Sequence, residues 1–212
     1  MASRRILALA SLVPLTGPVV DIGSDHGQLI RTLYQQGFPF PMFASELTNA
    51  SVQTLMNALL DLPVNIYQAD GLTHLPLGVK TVVISGMGGQ LIDKMLTKGI
   101  HQLTDVSTLI LGPQRDSYVV REWLMQHGWM LDHEQWLVEA DQGYPLLRAV
   151  KGTMTLTTME LYYGPLLIKA KDQAYCDWLK KEALTLSKQL TFSDNKEKQT
   201  RLEWIQHYVS NC

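Results

Sequence analysis

The sequence has little cysteine, no long apolar run and no large excess of charge, and each shortage excludes a class of protein. Cys176 and Cys212 are too few for a disulfide framework, and no cysteines and histidines have the spacing of a zinc site. We therefore predict free thiols, no bound metal and a cytoplasmic location. No apolar run approaches the ~20 residues that cross a bilayer, so we predict no membrane partner.

The amino terminus imitates a secretion signal, because Arg4 and Arg5 precede an apolar stretch. That stretch stops at Pro14, and a strand-like run begins at Val19 without room for a linker. We therefore predict an amphipathic helix over residues 2–13 that docks on the folded domain.

The charge is nearly balanced overall but unevenly distributed. The chain carries 18 basic and 20 acidic residues, a net charge of −2. Residues 1–150 hold 9 basic and 13 acidic residues (−4), and residues 151–212 hold 9 and 7 (+2). Hydrophobic residues make up 46%, which excludes a disordered chain. The balance argues against a surface that is basic throughout.

Short β-branched runs alternate with helix-like segments along the first half of the chain. The predicted strands cover residues 19–22, 42–46, 64–68, 81–85 and 108–111. This alternation predicts an α/β fold with a parallel sheet and helices on both faces. Two further extended stretches, 129–138 and 146–151, have no helix between them and predict a terminal antiparallel hairpin. We assign this Rossmann-like domain to residues 1–157.

The segment 158–212 has helical periodicity and forms the second predicted domain. Five side chains follow the 3-4 spacing of a coiled-coil seam: Cys176, Leu179, Ala183, Leu186 and Leu190. The pattern breaks at Ser193, and Asp194 followed by Glu197 predicts a capping box for a new helix. We predict a helical hairpin that closes on itself, in a monomer or weak dimer.

The first strand leads into a loop that is acidic where a dinucleotide site would be glycine-rich. Ligands of open parallel sheets bind beyond the carboxyl ends of the strands. Here the loop contains Asp21, Gly23, Ser24, Asp25 and His26, and Asp25 replaces the second glycine of G-x-G-x-x-G. A carboxylate there would repel a pyrophosphate but suits an ammonium or sulfonium group. The loop therefore favours S-adenosylmethionine over a nicotinamide dinucleotide.

Two more strand ends carry acids, and a fourth carries glycines. Glu46 follows the second strand, where a carboxylate can accept ribose hydroxyls, although this alone does not separate the two cofactors. Asp70 and Gly71 follow the third strand, where the acid can accept the exocyclic amine of adenine. Gly86 and Gly88 follow the fourth strand and let the backbone pass close to a ligand. The alternative is that the acids are solvated loop residues or helix caps.

These motifs together resemble the bacterial TrmK family of tRNA adenine-N1 methyltransferases, which modify position 22. The matching segments are Ile22-Gly23-Ser24-Asp25-His26, the strand-end Glu46, Asp70-Gly71-Leu72 and Gly86-Met87-Gly88-Gly89. The similarity covers essentially the whole chain. It implies a methyltransferase that uses S-adenosylmethionine, with tRNA as partner and C-terminal helices that help to hold RNA. The cofactor-binding residues so expected are Asp21, Gly23, Ser24, His26, Glu46, Leu47, Asp70, Gly71, Gly86, Met87 and Gly88.

The sequence departs from the family pattern in two places. Gly112-Pro113-Gln114 followed by Arg115 replaces the usual Gln-Pro-Asn after the fifth strand, and Gly27-Gln28 replaces Ala-Tyr. The first segment would face the target base. Methylation of another RNA site or another substrate, and a non-catalytic RNA-binding relative, are therefore kept as alternatives.

Asp25 is the predicted catalytic residue, because a carboxylate near the target amine could stabilise the charge that methylation places on adenine. The alternative is that Asp25 only holds the cofactor or caps a helix. Eight residues are predicted to bind RNA: Arg4, Arg5, Arg115, Tyr144, Lys169, Lys180, Lys181 and Lys188. An ordinary solvated helix surface is the alternative for the lysines, and packing is the alternative for Tyr144.

Overall fold

A computed structural model describes residues 2–192 and 194–210. Its centre is a seven-stranded sheet in the order β3-β2-β1-β4-β5-β7-β6. The strands are β1 (Val19–Ile22), β2 (Met42–Glu46), β3 (Val64–Gln68), β4 (Thr81–Met87), β5 (Thr108–Pro113), β6 (Trp129–Glu139) and β7 (Gln142–Lys151). The first five pair in parallel, and β7 pairs antiparallel with both β5 and β6. The predicted α/β class and terminal hairpin are confirmed.

Helices cover both faces of the sheet. They are α1 (Arg4–Leu12), α2 (Gln28–Gln35), α3 (Asn49–Ala58), α4 (Gly89–Lys98) and α5 (Ser117–Gln126), with a short 3-10 helix at Ile100–Leu103. Every residue of β1 and β5 is buried, as expected for parallel strands covered on both sides. Successive side chains of β1 point to opposite faces of the sheet. Val20 and Ile22 belong to one buried core cluster, and Val19 belongs to the other. The predicted amphipathic helix is α1, whose Leu9 and Leu12 lie in the cluster with Val19.

The C-terminal segment differs from the predicted pair of helices. It contains α6 (Thr158–Tyr163), α7 (Pro165–Ala170), α8 (Gln173–Leu190) and α9 (Lys196–Val209). Gly164 has a φ of 75° and precedes a proline at the first position of α7, which divides the first helical run. Helices α8 and α9 pack together as the expected hairpin, with Leu179, Leu186 and Ile205 in one buried cluster.

The predicted capping box is wrong. The Asn195 side chain, rather than that of Asp194, accepts the hydrogen bond from the Lys198 amide at 3.0 Å. Ser193, part of the predicted break, lies outside the described residues. A true capping box occurs at Thr157 and Glu160, where each side chain accepts a bond from the other residue's amide.

A buried ion pair joins the C-terminal helices to the sheet. Arg121 of α5 donates to Glu134 of β6 at 2.8 Å, and both side chains are almost fully buried. Arg121 also donates to the Leu161 carbonyl, and Glu134 accepts from the Leu166 amide. These bonds provide the partners that a buried pair requires, and they place α6 against α5 and α7 against β6.

Two further findings concern the cysteines and the length of the helices. Cys176 is disulfide-bonded, so the free thiol expected there is wrong, and Cys212 lies outside the described residues. Among the helices that the structure describes, none is long and apolar enough to cross a membrane.

Candidate functional site

A cavity of about 410 Å³ lies where the strand order reverses, at the carboxyl ends of β1 and β4. This is the position at which open α/β sheets bind ligands. Its lining comprises Arg5, Ile6, Asp21, Gly23, Ser24, Asp25, His26, Gln28, Leu29, Ser85, Gly86, Met87 and Gln114. Seven of the predicted site residues around the first and fourth strand ends are therefore brought together: Asp21, Gly23, Ser24, Asp25, His26, Gly86 and Met87.

The turn after β1 depends on glycine. Gly23 has a φ of 69°, and a Cβ there would lie 2.3 Å from Cε of Met87. The amides of Gly23 and Ser24 donate to the Ser45 carbonyl, which ties the turn to β2. Asp25 itself has a φ of 53°, a conformation that costs an aspartate energy and that often occurs at functional sites.

Asp21 is the buried acid of the cavity. Its carboxylate accepts a hydrogen bond from the Ser24 hydroxyl at 2.5 Å. The pKa of Asp21 is raised from 3.8 to about 6, mainly by burial; the hydrogen bond from Ser24 lowers the pKa, and the charge of the nearby Glu46 raises it. The group therefore changes charge just below neutral pH. A cationic ligand would favour its ionised form.

Asp25 and His26 are exposed at the cavity mouth. The His26 ring nitrogen Nε2 lies 3.7 Å from Oδ1 of Asp25. The Asp25 amide donates to Oε1 of Glu46 at 2.5 Å, so the first two strand-end loops are joined. One Glu46 oxygen is thus engaged by the Asp25 backbone.

The predicted nucleoside-binding residues lie along the strand ends outside the cavity lining. Leu47 is 58% exposed and follows Glu46 directly. Asp70 is ion-paired with Lys98, with Oδ2 and Nζ 2.5 Å apart. Gly71 packs closely on Met95, since a Cβ there would lie 2.8 Å from its Cγ. The sequence motifs do not reveal Lys98, because it lies at the end of α4, far from any strand-end motif.

The glycines after β4 have separate surroundings. Gly86 has a φ of 79°, and a Cβ at that position would meet nothing within 4 Å, so Gly86 leaves open space at the cavity. A Cβ on Gly88 would lie 3.2 Å from Nε of Arg115, and one on Gly89 would lie 2.2 Å from the Asp116 carbonyl oxygen. The last two glycines therefore allow the loops after β4 and β5 to pack together.

Two predicted RNA-binding residues, Arg5 and Tyr144, contact each other, and Arg5 lies at the cavity. The Arg5 guanidinium lies 5.4 Å from the centroid of the Tyr144 ring. Arg5 lines the cavity, and its Nε is buried without a hydrogen-bond partner in the residues that the structure describes. Sequence periodicity places Arg5 on α1 but cannot reveal how far its side chain reaches. The remaining candidates are exposed: Arg4, Arg115, Lys169, Lys180, Lys181 and Lys188. Of these, Lys180 has its Nζ 3.4 Å from Oδ1 of Asp177.

The parallel sheet with an antiparallel terminal hairpin, and a switch-point cavity that contains two carboxylates, define a Rossmann-like methyltransferase. The donor chemistry fits S-adenosylmethionine: acids for its cationic groups, Arg5 for its carboxylate and Glu46 for its ribose. The model of the TrmK family, tRNA (adenine(22)-N(1))-methyltransferase, matches residues 19–212. The chain belongs to that family.

Individual relatives are similar to this chain in sequence or in fold. The chain is 28% identical over 184 residues to the tRNA (adenine(22)-N(1))-methyltransferase of Bacillus subtilis, covering 82% of this chain and 77% of that protein. Streptococcus pneumoniae Sp1610, described as a candidate tRNA (m1A22) methyltransferase and solved with S-adenosyl-L-methionine, superposes with a TM-score of 0.86 at 28% identity. That alignment covers 100% of this chain and 99% of the other. A Rossmann protein from Streptococcus agalactiae has a TM-score of 0.88 at 27% identity, covering 100% and 96%.

Proposed function

We propose that this chain transfers the methyl group of S-adenosylmethionine to N1 of adenine 22 in tRNA, the reaction for which its family is named. The observation that carries the proposal is the acidic turn at the switch point. Asp25 occupies the position of the second glycine that a dinucleotide enzyme presents to a pyrophosphate, and Asp21 lines the same cavity. The turn suits a cationic nucleoside cofactor and disfavours an oxidoreductase.

In this proposal the methionine end of the cofactor lies in the 410 Å³ cavity. Asp21 faces its cationic groups, and Arg5 faces its carboxylate. The second oxygen of Glu46 accepts from the ribose. Asp70 accepts from the adenine amine after release of Lys98, and Leu47 packs on the adenine ring. An exposed ion pair such as Asp70–Lys98 contributes little free energy, so its separation requires little.

The proposed reaction depends on the alignment of the methyl group with adenine N1 more than on proton transfer. S-adenosylmethionine supplies an electrophilic methyl group. Adenine N1 is unprotonated at neutral pH and needs no general base before it attacks. The protein must take the base out of its stack, orient N1 and stabilise the positive charge that methylation leaves on the ring. Asp25 is the exposed carboxylate at the cavity mouth and is our candidate for that last role.

The tRNA backbone contacts the exposed cations of the chain. Arg4, Arg115 and the lysines of α7 and α8 are free of the cofactor cavity and would bind phosphates, with affinity that falls as salt rises. Because its proposed substrate is tRNA, we infer that the protein acts in the cytoplasm.

Replacement of Asp25 by asparagine tests its role. Asp25→Asn keeps the shape of the loop and removes the charge that would stabilise the methylated ring. We expect S-adenosylmethionine affinity to change less than about tenfold and single-turnover transfer to fall by about 10²–10³-fold, the loss typical for one electrostatic stabiliser. Calorimetry and rapid-quench assays measure the two quantities. Normal turnover with retained cofactor binding would remove Asp25 from the chemistry.

A further inference from the structure

A second cavity, of about 450 Å³, lies beside the first, and Gln114 lines both. It is enclosed by the loop before α5, the hairpin of β6 and β7, and helices α6 to α9. Its volume falls within the range of ~300–1,000 Å³ that is usual for small-ligand sites. We call it the aromatic pocket, after its rings Tyr118, Trp136, Tyr162, Tyr163, Tyr175 and Trp178.

The aromatic pocket contains stacking rings and an unused donor. The rings of Tyr118 and Tyr162 stack, with centroids 4.9 Å apart and planes at 17°. The ring centroids of Trp136 and Trp178 are 4.4 Å apart. The indole Nε1 of Trp136 is buried and has no hydrogen-bond partner within the described part of the chain. Leaving such a donor unpaired costs about 1–3 kcal/mol, and a ligand with acceptor atoms would recover that energy.

The charges around the aromatic pocket cancel. Its lining contains three arginines and three acids: Arg115, Arg121, Arg201, Asp116, Asp141 and Glu182. Arg201 donates to Glu182 at 2.8 Å, and Arg121 is held by Glu134 at 2.8 Å. The pocket therefore offers little net attraction to a phosphate. It suits a neutral, flat ligand with hydrogen-bond acceptors, which describes a nucleobase.

We infer that the aromatic pocket receives an unstacked base of the tRNA that flanks the methylated adenine. The inference rests on the proposed function, because the adjacent cavity must then hold the cofactor and the target base must enter near Gln114. A flanking base inserted among the rings would hold the RNA strand in an open conformation. The pocket would thereby help to keep the target adenine out of its stack.

Removal of individual bases from the RNA tests this inference. Wild-type protein saturated with S-adenosylmethionine is given tRNA that is abasic at one position flanking adenine 22, and binding and single-turnover methylation are measured. Loss of a base that stacks on aromatic rings should weaken tRNA binding by about 5- to 100-fold at one of these positions. Equal binding of every abasic tRNA would overturn the inference. Absence of methylation in the intact tRNA would instead contradict the proposed function.

A protein variant links the sensitive base to the pocket. Tyr118→Leu should weaken intact tRNA binding by a similar factor, and the abasic substitution should then cost little more. Tyr34→Leu, an exposed tyrosine on α2 that lines neither cavity, is the matched control. If the abasic substitution weakens tRNA binding as much in Tyr118→Leu as in the wild-type protein, the base does not bind in the aromatic pocket and the inference is refuted. If that variant does not fold, photo-crosslinking of a halogenated base at the sensitive position decides: attachment to the rings of the pocket supports the inference, and attachment only elsewhere refutes it.

Discussion

At the scale of residues, Arg5 has the largest change of interpretation. Sequence pattern places it among the RNA-binding cations, because it neighbours Arg4 near the start of a helix. In the fold its guanidinium lies over the Tyr144 ring, Arg5 lines the switch-point cavity, and its buried Nε has no hydrogen-bond partner among the described residues. A side chain of this length is positioned by tertiary packing, which composition and periodicity do not encode. We propose that Arg5 supplies the positive charge with which a cavity that contains two carboxylates accepts a zwitterion.

Arg5→Gln should weaken S-adenosylmethionine binding by about 10- to 100-fold, as expected for loss of a charge-assisted hydrogen bond. Affinity for 5′-methylthioadenosine should not change, since that nucleoside lacks the carboxylate. Arg4→Gln, on the exposed face of the same helix, is the control. Titration calorimetry with both ligands measures the difference. Equal losses for the two ligands would show that Arg5 does not face the carboxylate.

The burial of Asp21 lowers the stability of the ligand-free folded protein, and the proposed function of the carboxylate is to bind the cationic cofactor. Its folded pKa, raised by burial to about 6 from 3.8, means that the folded protein holds a proton more tightly than the unfolded chain does. Stability from this group is present below pH ~4 and is lost as pH rises through about 6. Asp21→Asn should therefore stabilise the ligand-free protein at about pH 7.5 by on the order of 3 kcal/mol. The gain should vanish near pH 4.

Urea unfolding at the two pH values measures this effect, with the exposed Asp105→Asn as control. S-adenosylmethionine affinity should fall in Asp21→Asn even though the protein is more stable. A variant that is less stable than wild type at both pH values would show that the Asp21 charge is not a cost to the fold.

At the scale of elements, the strands are predictable and the helix boundaries in the C-terminal segment are only partly so. The five parallel strands begin at the predicted residues and end within two residues of the predicted limits, because short runs rich in β-branched residues favour strands. The periodicity does not predict the division between α6 and α7, although Gly164-Pro165 is a visible signal for it. The predicted start of α9 is misplaced because Asp194 and Asn195 are both good caps, and only the backbone conformation selects between them.

The two candidate caps of α9 can be separated by mutation. Asn195→Ala removes the acceptor of the Lys198 amide and should lower the free energy of unfolding by about 1 kcal/mol. Asp194→Ala should change it by less than about 0.5 kcal/mol, as is usual for a surface residue without a specific partner. Chemical denaturation compares the two variants. A larger loss for Asp194→Ala than for Asn195→Ala would favour Asp194 as the cap after all.

At the scale of the whole molecule, the charge distribution has a consistent explanation. Asp21 and Asp25 account for part of the negative charge of residues 1–150, since they line the proposed cofactor cavity. The exposed lysines of α7 and α8 carry the positive charge of residues 151–212 to the surface. A net charge of −2 is therefore compatible with an RNA substrate. The buried Arg121–Glu134 pair fixes the position of the C-terminal helices relative to the cavity.

The central claim is that this molecule methylates N1 of adenine 22 in tRNA. The direct measurement is transfer of the labelled methyl group from S-adenosylmethionine to tRNA, followed by nucleoside analysis and mapping of the modified position. A tRNA with guanine at position 22 is the matched control. We predict one 1-methyladenosine at position 22 and no label in the control; absence of 1-methyladenosine, or its appearance at another position, would contradict the account.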